Sequence, residues 1–186
     1  MRLGDSFFSE DVLVVAPALV GKVLWCRDDS GTAHGGRIAE TEAYRGEDDS
    51  ACHARFGRTK RSETLYLAGG HAYVYLCYGV HHLFNVVTGE EDKPQAALIR
   101  ALTPVPDSPD WAAFQYSMSG PGRLTKFLGI TMSDNRADLR LSPRIWLDDD
   151  GYQPDRIDAA SRIGINYASP DDQARPWRFT DATFTG

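Results

Sequence analysis

Two carboxylates two positions apart, Glu40 and Glu42 in the string RIAETEAY at 37–44, are the densest candidate for acid–base chemistry in this 186-residue chain. On an extended strand Ile38, Glu40, Glu42 and Tyr44 share one face, and Ala39, Thr41 and Ala43 share the other. The carboxylates then stand side by side. Such like charges cost stability unless one is protonated, paired or solvated, and their crowding can raise one pKa to suit proton transfer. An isolated pattern of this kind is usually a solvated edge strand. Here Ile38 and Tyr44 on the same face, with small alanines opposite, argue for a half-buried central strand. A buried carboxylate needs a cation, and Arg100, set among apolar residues in AALIRAL (96–102), is the candidate. Arg100 equally suits a purely structural ion pair.

A second group comprises Tyr73, Tyr75 and Tyr78 with His81 and His82 around an expected hairpin. Tyr73, Tyr75 and Cys77 point one way, and Val74, Leu76 and Tyr78 the other. Strand aromatics usually pack in a core, but a large aromatic at an exposed turn suits a wedge between bases or a partner contact. A third group is the loop RFGRTKR at 55–61, where Arg55, Arg58, Lys60 and Arg61 surround one aromatic. Clustered cations can grip phosphates, and Arg123, Lys126, Arg136, Arg140 and Arg144 could extend the patch. Each of these cations alone equally reads as solvated surface. The five histidines and three cysteines show no metal-ligand spacing, and there is no Walker loop, nucleophile elbow or dinucleotide fingerprint. Neither a metal nor an organic cofactor is expected.

The elements that must position these residues follow from local pattern. Strands are expected at 22–27 and 36–44, paired across the turn signal DDSG, and at 72–77, 83–88, 96–101 and 145–147. A short core helix follows Ser9 as cap and is strained or ended near Pro17. Residues 45–63 form a long loop with at most one helical turn. A Pro-rich break covers 103–110, a helix 120–128, and a short helix or turn 156–162. Without regular strand–helix alternation, the fold class is α+β, a single compact domain spanning 1–186 around a curved, mainly antiparallel sheet with a protruding β-hairpin.

Composition narrows the function classes. With 42% hydrophobic and 25% charged residues the chain is globular, which excludes disorder and membrane-spanning architectures as the main plan. A net charge of −6 argues against adhesion to polyanions through the whole surface. Cys26, Cys52 and Cys77 form no CxxC pair and read as reduced thiols inside a cell. Glu10 and Asp11 stand where a signal peptide would be basic, and no basic targeting tail is evident, so a bacterial cytoplasm, near the nucleoid, is the expected location.

Taken in order, ETEAY (40–44), His53, YVYLCYG (73–79), Asn85, LIRAL (98–102), SGPGRL (119–124) and RIGI (162–165) resemble the alkyladenine DNA glycosylase family, the mammalian type of 3-methyladenine DNA glycosylases. The likeness spans residues 3–179. It implies a monofunctional, cofactor-free repair enzyme, acting as a monomer on double-stranded DNA, that hydrolyses the N-glycosidic bond of damaged purines. Glu42 then matches the general base, with Arg100 and the Ile163 carbonyl holding the water. Tyr44, His53 and Tyr75 match the walls stacked on a flipped base, Asn85 the residue facing guanine's 2-amino position, and Tyr78 the wedge. Thr59, Arg61, Val80, His81 and Arg123 match positions that contact DNA.

The chemistry agrees with these roles. A base must leave the stack before water reaches C1′, which calls for a wedge and an aromatic slot. A carboxylate beside the sugar stabilises oxocarbenium character and deprotonates water. Electron-rich walls favour a cationic alkylpurine, while no acid stands out to protonate a neutral leaving purine. Arg123 stands where mammalian members carry Lys, His81 and His82 where they carry aromatics, and Val80 and Leu65 where they carry longer apolar residues. Two other classes compete: a non-catalytic lesion-binding module using the same pocket, and a nucleoside or glycan hydrolase using Glu40 and Glu42 as a pair. No amine nucleophile is marked, so β-lyase chemistry is not expected. The acidic stretches 107–110, 148–150 and 171–172 are expected to face away from one cationic surface.

Overall fold

The computed structural model describes residues 1–105 and 118–185; the Pro-rich break at 103–110 and the acidic stretch 107–110 therefore fall mostly outside the described residues. In the turn after β1 (Val23–Arg27), Asp28 Oδ1 accepts the backbone N–H groups of Ser30 and Thr32 at 2.9 Å each, returning the chain as β2 (Ala33–Arg45). The two strands pair antiparallel. β3 (Ala72–Cys77), β4 (His81–Val87), β5 (Gln95–Thr103) and β7 (Ile145–Asp148) complete a sheet ordered β3-β4-β5-β2-β1-β7. A two-residue β6 (Met118–Ser119) pairs with the end of β5, and β8 (Ile157–Ala160) joins through β9 (Arg178–Asp181) to β2. Every described pairing is antiparallel. The result is the expected α+β fold, a curled antiparallel half-barrel with four α-helices among the described residues.

Behind the sheet, α1 (Asp5–Phe8) and α2 (Val12–Leu19) bury Phe8, Val12, Val15 and Leu19 against Ile38, Ala43, Ile99 and Phe84. The α2 cap is Asp11, whose side chain accepts from Leu13 N, whereas Ser9 closes α1. Asp11 reaches the orphan N–H group of the first turn and Ser9 does not, which corrects the cap assignment. Of the two readings at Pro17, an end or a proline within the helix, the structure has the second: α2 runs on to Leu19. The helical reading of 156–162 is also overturned. Too short for a diagnostic period, 157–160 take their structure from β9, about twenty residues further along, and local pattern carries no trace of that partner. α3 (Pro121–Phe127) packs on β4, and α4 (Pro170–Ala174) is a single capped turn. No described helix is long and apolar enough to cross a membrane.

The β2–β5 register is irregular on both sides of Glu40, skipping Ala39 on one strand and Arg100 on the other. Such bulges flip the faces that follow them. Ile38 consequently lies in the core behind the sheet with Ala43 and Ile99, not beside Glu40 as strict alternation predicts. Past the bulge, Thr41 bonds the Ala16 carbonyl behind the sheet at 2.8 Å, while Glu40, Glu42 and Tyr44 share the other face.

Candidate active site

Strand registry places the main candidates in one cross-strand row. Tyr73 pairs with Asn85, Asn85 with Leu98, Leu98 with Glu42, and Glu42 with Arg178 on β9. Tyr44 and Ala96 pair in the next row. Period-two alternation turns this row toward one face, so residues distant in sequence meet by backbone pairing alone.

Glu42 is fully buried. Its Oε1 accepts the Ile163 N–H at 2.7 Å and lies 3.4 Å from Arg100 Nη1, and its Oε2 accepts the Tyr44 hydroxyl at 2.8 Å. Burial raises the Glu42 pKa despite the opposing pull of Arg100, the Ile163 N–H and the Tyr44 hydroxyl. Arg100 also donates through Nε to Glu40 at 2.9 Å, and Glu40 is held further by Arg178 at 2.9 Å and Thr180 at 3.0 Å. Glu40 is thus bound into a cationic frame around Arg100. Burial, then the adjacent Glu42, keeps the Tyr44 phenol protonated well beyond its usual range.

Beside this carboxylate lies a slot lined by Tyr44, His53, Tyr73, Tyr75, Asn85 and Tyr167 among others. His53 meets Tyr75 edge-on with centroids 4.6 Å apart and bonds the Tyr73 hydroxyl through Nδ1 at 2.8 Å. The two rings are too close to admit a base between them and act as one wall. Burial, with help from Arg61 and Arg55, lowers the His53 pKa to about 4, so the imidazole is neutral near pH 7. A neutral wall does not repel a cationic guest. Asn85 is buried and its Nδ2 donates to the Tyr73 carbonyl at 3.1 Å, which holds the amide in one orientation. With a cavity volume of about 40 Å³ the slot has room for a few waters. A larger recess, about 450 Å³, lies around Arg37, Thr103, Tyr152 and Phe184 and contains none of these groups.

The hairpin tip beyond Tyr75 projects into solvent. Tyr78 is 92% exposed with φ of 51°, followed by Gly79 at 70°, in a tight turn closed by the Val80 N–H donating to the Cys77 carbonyl at 3.1 Å. Val80 is exposed, and His81 packs on α3, where a Cβ at Gly122 would come within 3.0 Å of it. Arg123 on the same helix is exposed, with Nη1 3.4 Å from the Ser119 carbonyl. Thr59 shapes its loop through Ser62, and the Arg61 guanidinium lies 5.5 Å from the Tyr75 ring centre.

The wider cationic patch contracts. Arg58 pairs with Asp92, Arg136 with Glu63, Arg140 with Asp138 and Asp5, and Arg144 with Asp134. Nearby carboxylates have claimed these guanidinium groups, and charge counting along the sequence does not register that. The acidic stretch 148–150 is likewise partly engaged, by Lys22 and Arg37. Cys26, Cys52 and Cys77 are unbridged, and among the described residues no His, Cys, Asp or Glu cluster is placed to hold a metal.

Sequence reasoning missed the pair beneath the site. Arg162 and Asp49, with side chains fully buried, bond at 2.6 and 2.8 Å, and Arg162 also donates to the Ala43 carbonyl at 2.9 Å. This pair ties the end of β2, the loop before His53 and the loop holding Ile163 to one another. Tyr167 and Leu98 were missed as well. The string RIGI pointed at residue 162, but nothing in sequence distinguishes Asp49 from its exposed neighbours in GEDDS (46–50).

The comparisons with known proteins point to one family. The profile of the methylpurine-DNA glycosylase family matches residues 6–184. A Borrelia garinii protein is 43% identical over 93% of this chain and 92% of its own length, and a Chlamydia pneumoniae protein 42% identical over 93% and 91%. An Anaeromyxobacter protein is 44% identical over 96% of this chain and 88% of its own. All three carry the provisional name 3-methyladenine DNA glycosylase. With a profile match over nearly the whole chain, these relatives and a buried carboxylate beside an aromatic slot, the chain belongs to the methylpurine-DNA glycosylase family and is a DNA glycosylase of base excision repair.

Proposed function

We propose that the chain acts as one domain, and as a monomer in a bacterial cytoplasm, on duplex DNA containing damaged purines of the 3-methyladenine, hypoxanthine and ethenoadenine class. It flips the lesion into the slot and hydrolyses the glycosidic bond with a water activated by Glu42, leaving an abasic site. The observation that carries this reading is the row Asn85–Leu98–Glu42: two strand spacings, about 10 Å, separate the group that meets the base edge from the group that serves the sugar.

In this reading Tyr78 fills the gap left in the duplex while Tyr44 faces the His53–Tyr75 wall across the base. Glu42 removes a proton from water as it attacks C1′, and its charge, held by Arg100, stabilises the developing oxocarbenium ion. The Ile163 N–H aims the carboxylate, and the carbonyl of the same residue is available to the water. Thr59, Arg61, Val80, His81 and Arg123 flank the DNA path. Glu40, engaged by Arg100, Arg178 and Thr180, is poorly placed as a second catalytic carboxylate, which weighs against a glycan-hydrolase reading.

The test is single-turnover release of base from duplexes bearing each lesion, comparing wild type with Glu42→Gln. The variant should bind the lesion while losing on the order of 10²–10⁴ in rate. A Gln variant with the wild-type rate removes Glu42 from the mechanism, and a wild type that binds lesions without releasing base favours the non-catalytic binding module.

A further inference from the structure

An exposed aromatic outside the roles assigned above is joined to the slot through its neighbours. Phe56 ends the 3₁₀ turn His53–Phe56 with 75% of its surface open. The same turn begins with the slot wall His53, and its base is fixed, since Cys52 and Ala54 are buried. The Arg55 guanidinium lies 4.3 Å from the Phe56 ring centre and 5.0 Å from that of Tyr167, while Nη1 donates to the Cys52 carbonyl at 3.0 Å. Tyr167, itself a slot residue, donates its hydroxyl to the Ala51 carbonyl at 2.8 Å. Phe56, Arg55 and Tyr167 therefore form a continuous rim joined to the slot. Lys60 and Arg61 stand exposed on the chain that follows. An open ring on a held turn, with cations beside it, has the composition of a nucleic-acid contact rather than of a core remnant.

We propose that Phe56 is a second DNA-contacting aromatic, packing on the sugar and base of a damaged-strand nucleotide next to the flipped one, with Arg55 and Lys60 facing the adjoining phosphates. The position beside the lesion rests on the flipping reading above; the contact with DNA does not. Every nucleotide offers an apolar sugar face and a π surface, so such a contact strengthens engagement without choosing the lesion.

The probe is a duplex carrying a tetrahydrofuran abasic analogue, which has no base to release, titrated by fluorescence anisotropy over a series of KCl concentrations. Phe56→Ala should weaken binding about tenfold with the salt slope unchanged, as expected for a stacking contact, while Lys60→Ala should reduce the slope by about one. Phe56→Leu, keeping apolar bulk without the ring, should fall between. Because Phe56 is exposed, the thermal midpoint of Phe56→Ala should match wild type. Unchanged affinity for Phe56→Ala overturns the proposal, as does a loss of affinity that tracks a lowered thermal midpoint. If wild type releases no base from lesion duplexes while Phe56→Ala still binds the analogue weakly, the flipping mechanism fails and the contact stands.

Discussion

Asn85 and Glu42 stand in one cross-strand row, two strands apart, with Leu98 between them. On the proposed assignment of Asn85 to the base edge and Glu42 to the water, the row sets the spacing between the two tasks through the backbone.

It follows that Asn85→Ala alters selection and leaves the hydrolytic end in place. With the amide removed, guanine's 2-amino group meets space instead of a fixed side chain. Discrimination against guanine should fall by roughly 5- to 150-fold, corresponding to about 1–3 kcal/mol. Competition between guanine and lesion substrates under single-turnover conditions measures this, and an unchanged ratio would place selection elsewhere in the slot.

The Glu42–Tyr44 hydrogen bond sets a pH dependence. Burial holds the Glu42 pKa above the ordinary carboxylate value against the pull of Arg100, Ile163 and Tyr44. A general base works deprotonated, so the rate should rise with pH through that elevated value. Stability runs the other way: with the folded pKa above the unfolded one, this group's stabilisation is present at low pH and fades as pH rises through the folded pKa. Tyr44→Phe keeps the ring and removes the hydroxyl that favours the carboxylate, so the acid limb of the pH–rate profile should move to higher pH. A limb that stays in place would separate the hydroxyl from the base.

Much of this was legible in sequence wherever the signal was local. The DDSG turn gave the β1–β2 hairpin, the alternation of 72–77 gave β3, and E-x-E beside Tyr44 gave the face that carries Glu40 and Glu42. What failed was non-local. The bulges at Ala39 and Arg100 moved Ile38 to the core because the register depends on both strands together. β8 needed β9, and the Asp49–Arg162 pair joins loops more than one hundred residues apart. Arg58, Arg136, Arg140 and Arg144 count as free cations in sequence and as ion pairs in space.

That buried pair carries its own prediction. Asp49→Ala leaves the Arg162 charge buried without its carboxylate and should cost about 3–5 kcal/mol in urea unfolding. Replacing both partners, Asp49→Leu with Arg162→Met, should recover only the part owed to the uncompensated charge, because the Arg45 and Ala51 N–H groups lose the Asp49 carboxylate and the Ala43 and Asp172 carbonyls lose the Arg162 guanidinium. The double variant should still be slow in base release, because Arg162 positions the Ile163 loop that meets Glu42. Full recovery of rate with stability would show that the loop holds its place without the pair.

At the hairpin tip the backbone strain of Tyr78 and its proposed wedge role meet in one residue. A non-glycine residue at φ of 51° is held in a conformation disfavoured by about 1 kcal/mol, and its ring, 92% exposed, returns little packing energy. Tyr78→Gly removes the strain and the wedge together. Thermal stability should therefore rise slightly while affinity for a lesion duplex falls, on the order of tenfold for a lost stacking ring. Tyr78→Ala, which keeps a Cβ in the same region of φ, should lose the affinity without gaining the stability. If the glycine variant melts earlier than wild type, the ring supports the hairpin and its exposure does not mark a wedge. If it binds lesion DNA as tightly as wild type, the gap in the duplex is filled by another group, and Val80 in the same turn is the next to substitute.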